Sequence, residues 1–334
     1  MQLLKPTPTQ AAVGLRAMKA VALAGGGFGP AATAMVAAAQ RTFLGTELDF
    51  EALDPAEPVE LAQAFDDPAL ARQIVQGMVL LALADDSPEP ARMAKIAAFA
   101  RALQVDEPGL KAIRELAERH MMLFRIDFYR RSHITATFGE QYRRYGLAGL
   151  IKGIGGQRGL LEDATIASRY QALGDLAPDS LGHAFFTHCR SHGFAFPGEK
   201  QGFPEAGVFH DFTHVLSGYG TGPDGEVQTG AFQAAYMKDN PYFVLLFVML
   251  TFGAGLNVTP VPQPEYHSTL AMEGLAERFF EALERGSKVK IDLSKGWDHW
   301  AWVEKPLEVA RLELGIEPPQ GGYLYPPNWT ERDT

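Results

Sequence analysis

The chain has 334 residues, of which 46% are hydrophobic and 21% charged, and its formal net charge is −10. This composition is typical of a globular protein long enough for two domains, and it excludes extensive disorder. The negative charge excludes a nucleic-acid binder, because phosphate neutralisation needs a dominant basic face. A single cysteine excludes an intramolecular disulfide and is compatible with a reducing cytosol.

The N-terminal region, residues 1–125, is predicted to form a bundle of short helices. It is rich in alanine and leucine and is interrupted by glycine, aspartate and proline at turn positions. Two series of apolar residues recur at helical spacing: Ile96, Phe99, Ala100 and Leu103, and then Leu110, Ile113, Leu116 and Ala117. Ser87 followed by Pro88 predicts the beginning of a helix, with the serine as its cap.

Two polar features of this region have alternative interpretations. Asp85 and Asp86 could bind a cation, but a capped turn is the favoured interpretation. The glycine cluster from Gly25 to Gly29 has the composition of a phosphate-binding loop, yet no strand pattern precedes it and no Gly-Lys-Ser/Thr follows it. We therefore interpret it as a flexible turn.

A locally basic segment follows the bundle and predicts a boundary near residue 160. The basic residues are Arg125, Arg130, Arg131, Arg143, Arg144, Lys152 and Arg158, against Asp127 and Glu140. Such a segment is either a solvated linker or a contact with an anionic membrane surface, and the linker is favoured. The predicted division is an accessory helical bundle over 1–125, the basic segment over 126–160, and a metal-binding domain over 161–325.

The strongest chemical signal is His-Asp-Phe-Thr-His from His210 to His214, followed after eleven residues by Glu226. If residues 208–216 are helical, both histidines share one face, with Asp211 about 100° round from the first. A glycine-rich loop then returns the chain to present the glutamate. Two imidazoles and two carboxylates suit zinc, iron, cobalt or manganese. Although a histidine pair alone is usually structural, we predict a divalent metal, zinc first, bound by all four residues.

Other histidines of the second half compete with this assignment. His188 and His192 also lie four residues apart, with Cys189 between them, which is the spacing of a soft-metal site. No carboxylate or second cysteine completes that set nearby, so we reject it and predict that His188 orients a metal ligand from outside. His267 and His299 lie among aromatic or polar neighbours and are interpreted as structural.

The remaining elements are also predicted to be helices. Residues 241–256 form the longest uncharged apolar run, which is shorter than the ~20 residues of a membrane span and is interpreted as a buried helix. Aromatic residues from Phe232 to Phe252 are expected to build core, or else to line an apolar pocket beside the metal. An amphipathic helix is predicted over 265–285, and a last helix extends through Arg311. Because no strand pattern is present, the predicted fold class is all-α.

At the metal motif, the chain resembles the ubiquinone (coenzyme Q) biosynthesis family named for the fourth Coq protein, whose signature is His-Asp-x-x-His, eleven residues and Glu. Further likenesses are the Leu-Gly-His-Ala-Phe-Phe run from Leu181, the helix beginning near Gly230, and the stretch 308–318. The resemblance covers residues 165–320. It departs from the family at 197–204, where a longer Arg- and Tyr-rich approach to the motif is usual. Separately, the N-terminal region resembles the tellurite-resistance TerB-like helical bundle.

The resemblance implies metal-dependent oxidative decarboxylation and hydroxylation at ring carbon one of a polyprenylated 4-hydroxybenzoate-type acid. Two histidines and a carboxylate are also the ligands of oxygen-using non-haem iron enzymes, whereas zinc would act as a Lewis acid. Expected partners are the polyprenylated quinone precursor, other ubiquinone-biosynthesis proteins, the inner face of a membrane and a second copy of the chain. We expect a cytoplasmic location, because residues 1–8 lack the charged and apolar regions of a signal peptide.

Two other functions stay open. A lipid-binding scaffold would hold a prenylated intermediate and organise partner enzymes around a structural metal. A zincin-type hydrolase is suggested by the likeness of His-Asp-Phe-Thr-His to His-Glu-x-x-His. Against the hydrolase, Asp211 is one methylene shorter than the glutamate base, and glycine ends the helix early.

Overall fold

The computed structural model describes the following residues: 3–86, 88–120, 122, 124, 125, 128, 131, 162–258, 265–320 and 322. Every regular element among these residues is a helix, with only isolated β-bridges besides, so the predicted all-α fold class is confirmed. Most of the basic segment, residues 132–161, lies outside the described residues. The linker and membrane interpretations of that segment therefore stay predictions.

Proline begins six α-helices described in the N-terminal region. Proline suits the first helical position because its φ is already helical and no N–H is needed there. The helices are α1 (Pro8–Ala24), α2 (Pro30–Ala39), α3 (Pro58–Ala64), α4 (Pro68–Ala82), α5 (Pro90–Ala102) and α6 (Pro108–Ala117). Side chains cap several of them: Thr7 forms a capping box with Gln10, and Asp67 accepts from the backbone N–H groups at the start of α4.

Asp85 caps α2 from a distant part of the sequence. Its carboxylate accepts hydrogen bonds from the backbone N–H groups of Gly29, Ala31 and Ala32, at 3.0, 2.7 and 3.2 Å. A Cβ at Gly29 would lie 2.5 Å from the carboxyl carbon of Asp85, so this approach requires glycine. The aspartate and the glycine cluster thus close one helix N-terminus together, in agreement with the capped-turn interpretation.

The predicted start of α5 at Ser87 is wrong by a few residues. Glu89 is extended, with φ −81° and ψ 136°, and occupies the N-cap position without a side-chain cap bond. The cause is Pro90, because a proline disfavours helical geometry in the residue before it. The helix therefore begins at Pro90 itself.

Further α-helices lie among the described residues from 162 onward. They are α7 (Ala164–Gln171), α8 (Leu181–Ser191), α9 (Phe209–Ser217), α10 (Pro223–Tyr236), α11 (Pro241–Val248), α12 (Leu275–Ser287) and α13 (Leu307–Leu314). α12 begins later than the predicted 265–285, because Ser268 and Gly274 have left-handed φ values of 48° and 69°. The buried helix predicted over 241–256 is present, since α11 continues into a buried π-helix. Among the described residues, every helix is too short or too polar for a membrane span.

The chain divides into two compact units. One consists of residues 1–131 and 242–283, and the other of residues 132–241 and 284–334. Residues 242–283 thus belong with the N-terminal helices, although the sequence places them in the metal-binding domain. All four predicted metal ligands lie in the second unit.

Candidate metal centre

α9 carries both histidines of the motif, and it coincides with the predicted helix to within one residue at each end. It ends at Gly218, whose left-handed φ of 80° only glycine adopts without strain. Phe212 anchors the inward face: its ring stacks on Phe185 with centroids 4.1 Å apart and stands edge-on to Trp297 at 5.4 Å. Apolar contacts therefore hold α9 in place.

Two buried arginines hold the C-terminal end of α9. The guanidinium of Arg311 donates to the carbonyls of Leu216 and Val215 at 3.0 and 2.9 Å, and Arg285 donates to that of Ser217 at 3.0 Å. The last carbonyls of a helix have no partner within the helix and carry partial negative charge, so cations stabilise them. These contacts were not predictable from the motif, because both arginines lie far from it in sequence.

Glu226 lies in the first turn of α10 rather than in the glycine-rich loop. Gly222 is the N-cap, Pro223 takes the first helical position, and the Glu226 N–H donates to the Gly222 carbonyl at 2.9 Å. A Cβ at Gly225 would lie 2.0 Å from the carbonyl oxygen of Gly220, so the loop can fold back against the helix only with glycine there. The loop returns the chain as predicted, but a helix presents the carboxylate.

Three side-chain donors meet between α9 and α10. The Nε2 atoms of His210 and His214 lie 3.3 Å apart, and each lies 3.4 Å from a different carboxylate oxygen of Glu226, Oε2 for His210 and Oε1 for His214. One donor atom from each residue falls in a group within 4.8 Å. Tetrahedral ligands at ~2.0–2.1 Å from zinc are about 3.3–3.4 Å from one another. The spacing of these donors therefore fits a divalent metal.

Hydrogen bonds at the far ring nitrogens determine which imidazole nitrogen is available. His214 Nδ1 lies 3.2 Å from the Tyr219 carbonyl oxygen, which can only accept, and 3.1 Å from Thr229 Oγ1. His210 Nδ1 lies 3.1 Å from Gln233 Oε1. In both rings Nδ1 therefore carries a hydrogen and donates outward, and Nε2 faces the other donors. Metal-binding histidines have this arrangement.

These outer hydrogen-bond partners of the two histidines were not predicted, although the sequence carries a signal for two of them. Thr229 and Gln233 follow Glu226 by three and seven residues, which places all three on one face of α10. The Tyr219 carbonyl had no such signal, because a backbone group carries no residue-type information. A polar stripe on an otherwise buried helix is therefore the feature that predicts such partners.

Charge stabilises the cluster. Burial lowers the pKa of His210, but the adjacent Glu226 carboxylate outweighs it and raises this pKa to about 9. Burial raises the pKa of Glu226, but the charges of His214 and His210 outweigh it and hold this pKa below its ordinary value. Glu226 is therefore ionised at neutral pH and ready to bind a cation. A divalent metal bound at Nε2 of His210 would have to displace the proton from that atom.

One side of the centre is accessible. The side chains of His210 and Glu226 are 39% and 28% exposed, whereas that of His214 is 1% exposed. Three protein donors and an accessible side are the arrangement of catalytic zinc and non-haem iron sites, which keep a position for water or substrate.

Asp211 does not join the three donors. Burial and the charge of Glu226 raise its pKa, while the charges of His210 and His214 lower it, with a net rise. Asp211 is therefore electrostatically coupled to the centre, and its assignment as the fourth ligand stays a prediction.

His188 and His192 form no comparable donor group among the described residues. The His188 ring stacks on His214 with centroids 5.6 Å apart, and burial followed by the charge of His214 lowers its pKa well below the ordinary value. Burial also raises the pKa of the Cys189 thiol, which disfavours a thiolate ligand. These contacts agree with the rejection of a soft-metal site and bring His188 against a predicted ligand.

No known family model and no curated protein matches the chain. Among solved structures, the chain is similar to a Nostoc punctiforme protein provisionally assigned to ubiquinone biosynthesis, with 15% identity over 75% of this chain and 98% of that one. The TM-score is 0.33, which does not establish a common fold. Membership of the family that the motif resembles therefore stays a prediction.

Proposed function

We propose that the protein is a metal-dependent enzyme of ubiquinone biosynthesis. Its substrate would be a polyprenylated 4-hydroxybenzoate-type acid, whose carboxyl group at ring carbon one is replaced by hydroxyl. The observation that supports a metal enzyme is the convergence of two Nε2 atoms and an ionised carboxylate at spacings of 3.3–3.4 Å. The substrate class is supported by the resemblance of the motif from His210 to Glu226 to the ubiquinone-biosynthesis family.

His210, His214 and Glu226 would hold the metal through donors that the structure already brings together. A bound divalent ion would supply Lewis acidity towards the oxygen substituents of the ring and, if it were iron, redox chemistry with oxygen. The partly exposed side of the centre, next to His210, would admit the ring. Asp211, whose pKa is raised and which is coupled electrostatically to the centre, would be able to hold a proton there.

The proposed reaction balances with named co-reactants. The aryl carboxylic acid, one dioxygen, two electrons and two protons give the phenol, carbon dioxide and water. The bond between the ring and the carboxyl carbon breaks, and a carbon–oxygen bond forms at the same ring carbon. A reduced nicotinamide cofactor is the class of donor that would supply the electron pair.

A strain that lacks its own enzyme for this step provides the test. The parent sequence and His192→Ala should restore ubiquinone, whereas Glu226→Gln and His210→Ala should not, because each removes a donor while leaving α9 and α10 packed. Purified parent protein should also form the decarboxylated phenol only with dioxygen present. Equal restoration by all four sequences would contradict catalysis at this centre and leave the scaffold function in its place.

The remaining expectations are part of the same proposal. A precursor with a long apolar tail is found at membranes, so the enzyme would act at the inner membrane face from the cytoplasmic side, alongside other enzymes of the route. Sedimentation of the protein with precursor-loaded vesicles is the measurement that checks this location.

A further inference from the structure

The first compact unit contains an apolar cavity of about 160 Å³. It lies among α1, α2, α4 and the parts of α11 and α12 that belong to this unit, and its walls include Met18, Met35, Ile74, Leu245 and Phe280. The methionines are flexible and polarisable, which allows a lining to adapt to different apolar shapes. An apolar cavity of this size takes apolar guests.

Glutamine side chains also line the cavity, but their amide groups form hydrogen bonds within the protein. Gln73 donates to the Leu4 carbonyl and accepts from the Leu4 N–H, both at 2.7 Å. Gln10 donates to the Ala64 carbonyl at 2.9 Å and accepts from the Thr7 N–H at 3.0 Å. These amides fasten the chain around the cavity and are not directed at a guest.

The other polar groups of the lining are engaged in the same way. Gln76 donates to a carboxylate oxygen of Glu107 at 2.9 Å, and the Tyr242 hydroxyl donates to the Gln76 carbonyl at 3.4 Å. Burial raises the pKa of Tyr242 well above its ordinary value, so the hydroxyl stays neutral. A charged or hydrogen-bonding guest would lose its hydration inside this cavity and gain no hydrogen bonds from the protein in return.

Some of the apolar lining remains partly exposed, so the cavity reaches the surface of this unit. The half-buried lining residues include Leu3, Pro6, Phe43, Leu44 and Phe280. A guest that is longer than the cavity can therefore leave its polar end in solvent.

We propose that this cavity is a binding site for a single hydrocarbon chain, with the polar head of the ligand outside. An apolar ligand is favoured by the walls of the cavity, by the amides that are already hydrogen-bonded within the protein, and by the partly exposed apolar residues at the opening. Isoprenoids and straight-chain alkyl lipids both have such a hydrocarbon chain. The proposal is independent of the proposed function, because every lining residue lies in the first unit and the metal donors lie in the second.

Calorimetric titration of the full-length protein with octanol, decanol and dodecanol tests the site. Each additional buried methylene should tighten binding about fourfold until the cavity is full, after which affinity should level off. The heat-capacity change should be negative. Geraniol against decanol, at equal carbon number, distinguishes the isoprenoid from the straight-chain source.

Two variants locate the binding. Ala39→Trp places an indole in the lining of the cavity, and Ala37→Trp, also half-buried on α2 but not part of the lining, is its matched control. Gly77→Leu is a second way to fill the space, since a Cβ there meets only the flexible methyl end of Met18, at 3.3 Å. Filling variants should bind dodecanol at least about 50-fold more weakly, because several methylenes lose their place.

Binding of dodecanol by the parent and the variants supports or contradicts the proposed site. The proposal predicts chain-length-dependent binding in the parent and in Ala37→Trp that is lost in Ala39→Trp or in Gly77→Leu, each with helical circular dichroism like the parent. His214→Ala should bind dodecanol like the parent, whatever becomes of the proposed enzyme. Absence of binding in the parent, affinity independent of chain length, or undiminished binding in folded filling variants would overturn it.

Discussion

The pairs His188/His192 and His210/His214 have the same spacing on neighbouring helices of the second unit, yet only one of them has the geometry of a metal site. In the second pair, Glu226 approaches both Nε2 atoms from another helix. In the first pair, His192 Nδ1 instead donates to the His188 carbonyl at 2.7 Å within the same helix. The comparison teaches that spacing brings two imidazoles to one face, while a donor from elsewhere makes a site.

The electrostatics of the two pairs differ for the same reason. Burial lowers the pKa of both His188 and His210, but only His210 lies against a carboxylate that reverses the effect. His188 is therefore neutral at physiological pH and packs against His214 as a ring. His210 therefore keeps a proton at neutral pH, which a bound metal would have to displace.

The largest expected effect is on metal content, when one histidine is removed from each pair in turn. His214→Ala should abolish bound metal, because it removes the buried donor of the centre. His192→Ala should keep the metal content of the parent. Elemental analysis of the purified proteins, together with far-ultraviolet circular dichroism to confirm folding, decides between these outcomes. Equal metal in both variants would remove the distinction between the pairs.

The support of α9 should have the next largest effect. Arg311→Leu leaves the buried carbonyls of Val215 and Leu216 without a donor, and should lower the free energy of unfolding by about 3 kcal/mol. Glu308→Gln is the control, because it removes only the exposed ion pair that Glu308 forms with Arg311 within α13, and it should change stability by less than about 1 kcal/mol. Urea unfolding gives both values. A neutral Arg311→Leu would show that α9 does not depend on this arginine.

The outer hydrogen bond at His210 should have a graded effect on metal binding. Gln233→Leu removes the acceptor of the Nδ1–H, and should weaken metal affinity about 10–100-fold without removing the site. Competition with a chromophoric chelator measures the change, and Gln228→Leu on the same helix is the control. Unchanged affinity in Gln233→Leu would mean that the ring does not need this partner.

The smallest effect concerns the helix of the other pair. Burial raises the pKa of Glu199, but hydrogen bonds from Arg190 on α8, from Gln171 and from the Phe196 N–H together outweigh it, so this pKa falls from 4.5 to about 2. A lowered folded-state pKa stabilises the protein above the unfolded value, and this contribution disappears as the pH falls from about 4.5 to about 2.

Arg190 and Glu199 are both partly exposed, which limits the contribution of this ion pair to the free energy of unfolding to about 1 kcal/mol. Glu199→Gln should therefore reduce the free energy of unfolding at pH 7 by this amount and flatten its decline over that acid range. Denaturant unfolding across the range is the measurement. An equally steep decline in Glu199→Gln would assign the acid sensitivity to other carboxyl groups.

The sequence predicted the parts of this molecule that depend on local pattern. The α9 helix, its glycine end and the donors His210, His214 and Glu226 follow from spacing and residue type. Contacts between distant residues were not predictable in the same way: Asp85 at the N-terminus of α2 and Arg311 at the C-terminus of α9 satisfy backbone groups that lie far away in sequence. The start of α12 was misplaced because amphipathic spacing continued through backbone that turns left-handed.

X-ray absorption at the metal edge of the protein as isolated tests the central claim most directly. The account predicts a transition metal, zinc first, whose nearest shell contains two imidazole nitrogens and carboxylate oxygen at about 2.0–2.1 Å, and Glu226→Gln should change that shell. A shell containing sulfur at about 2.3 Å would place the metal at Cys189. That result, or a parent protein that binds no metal even when it is supplied, would contradict the account.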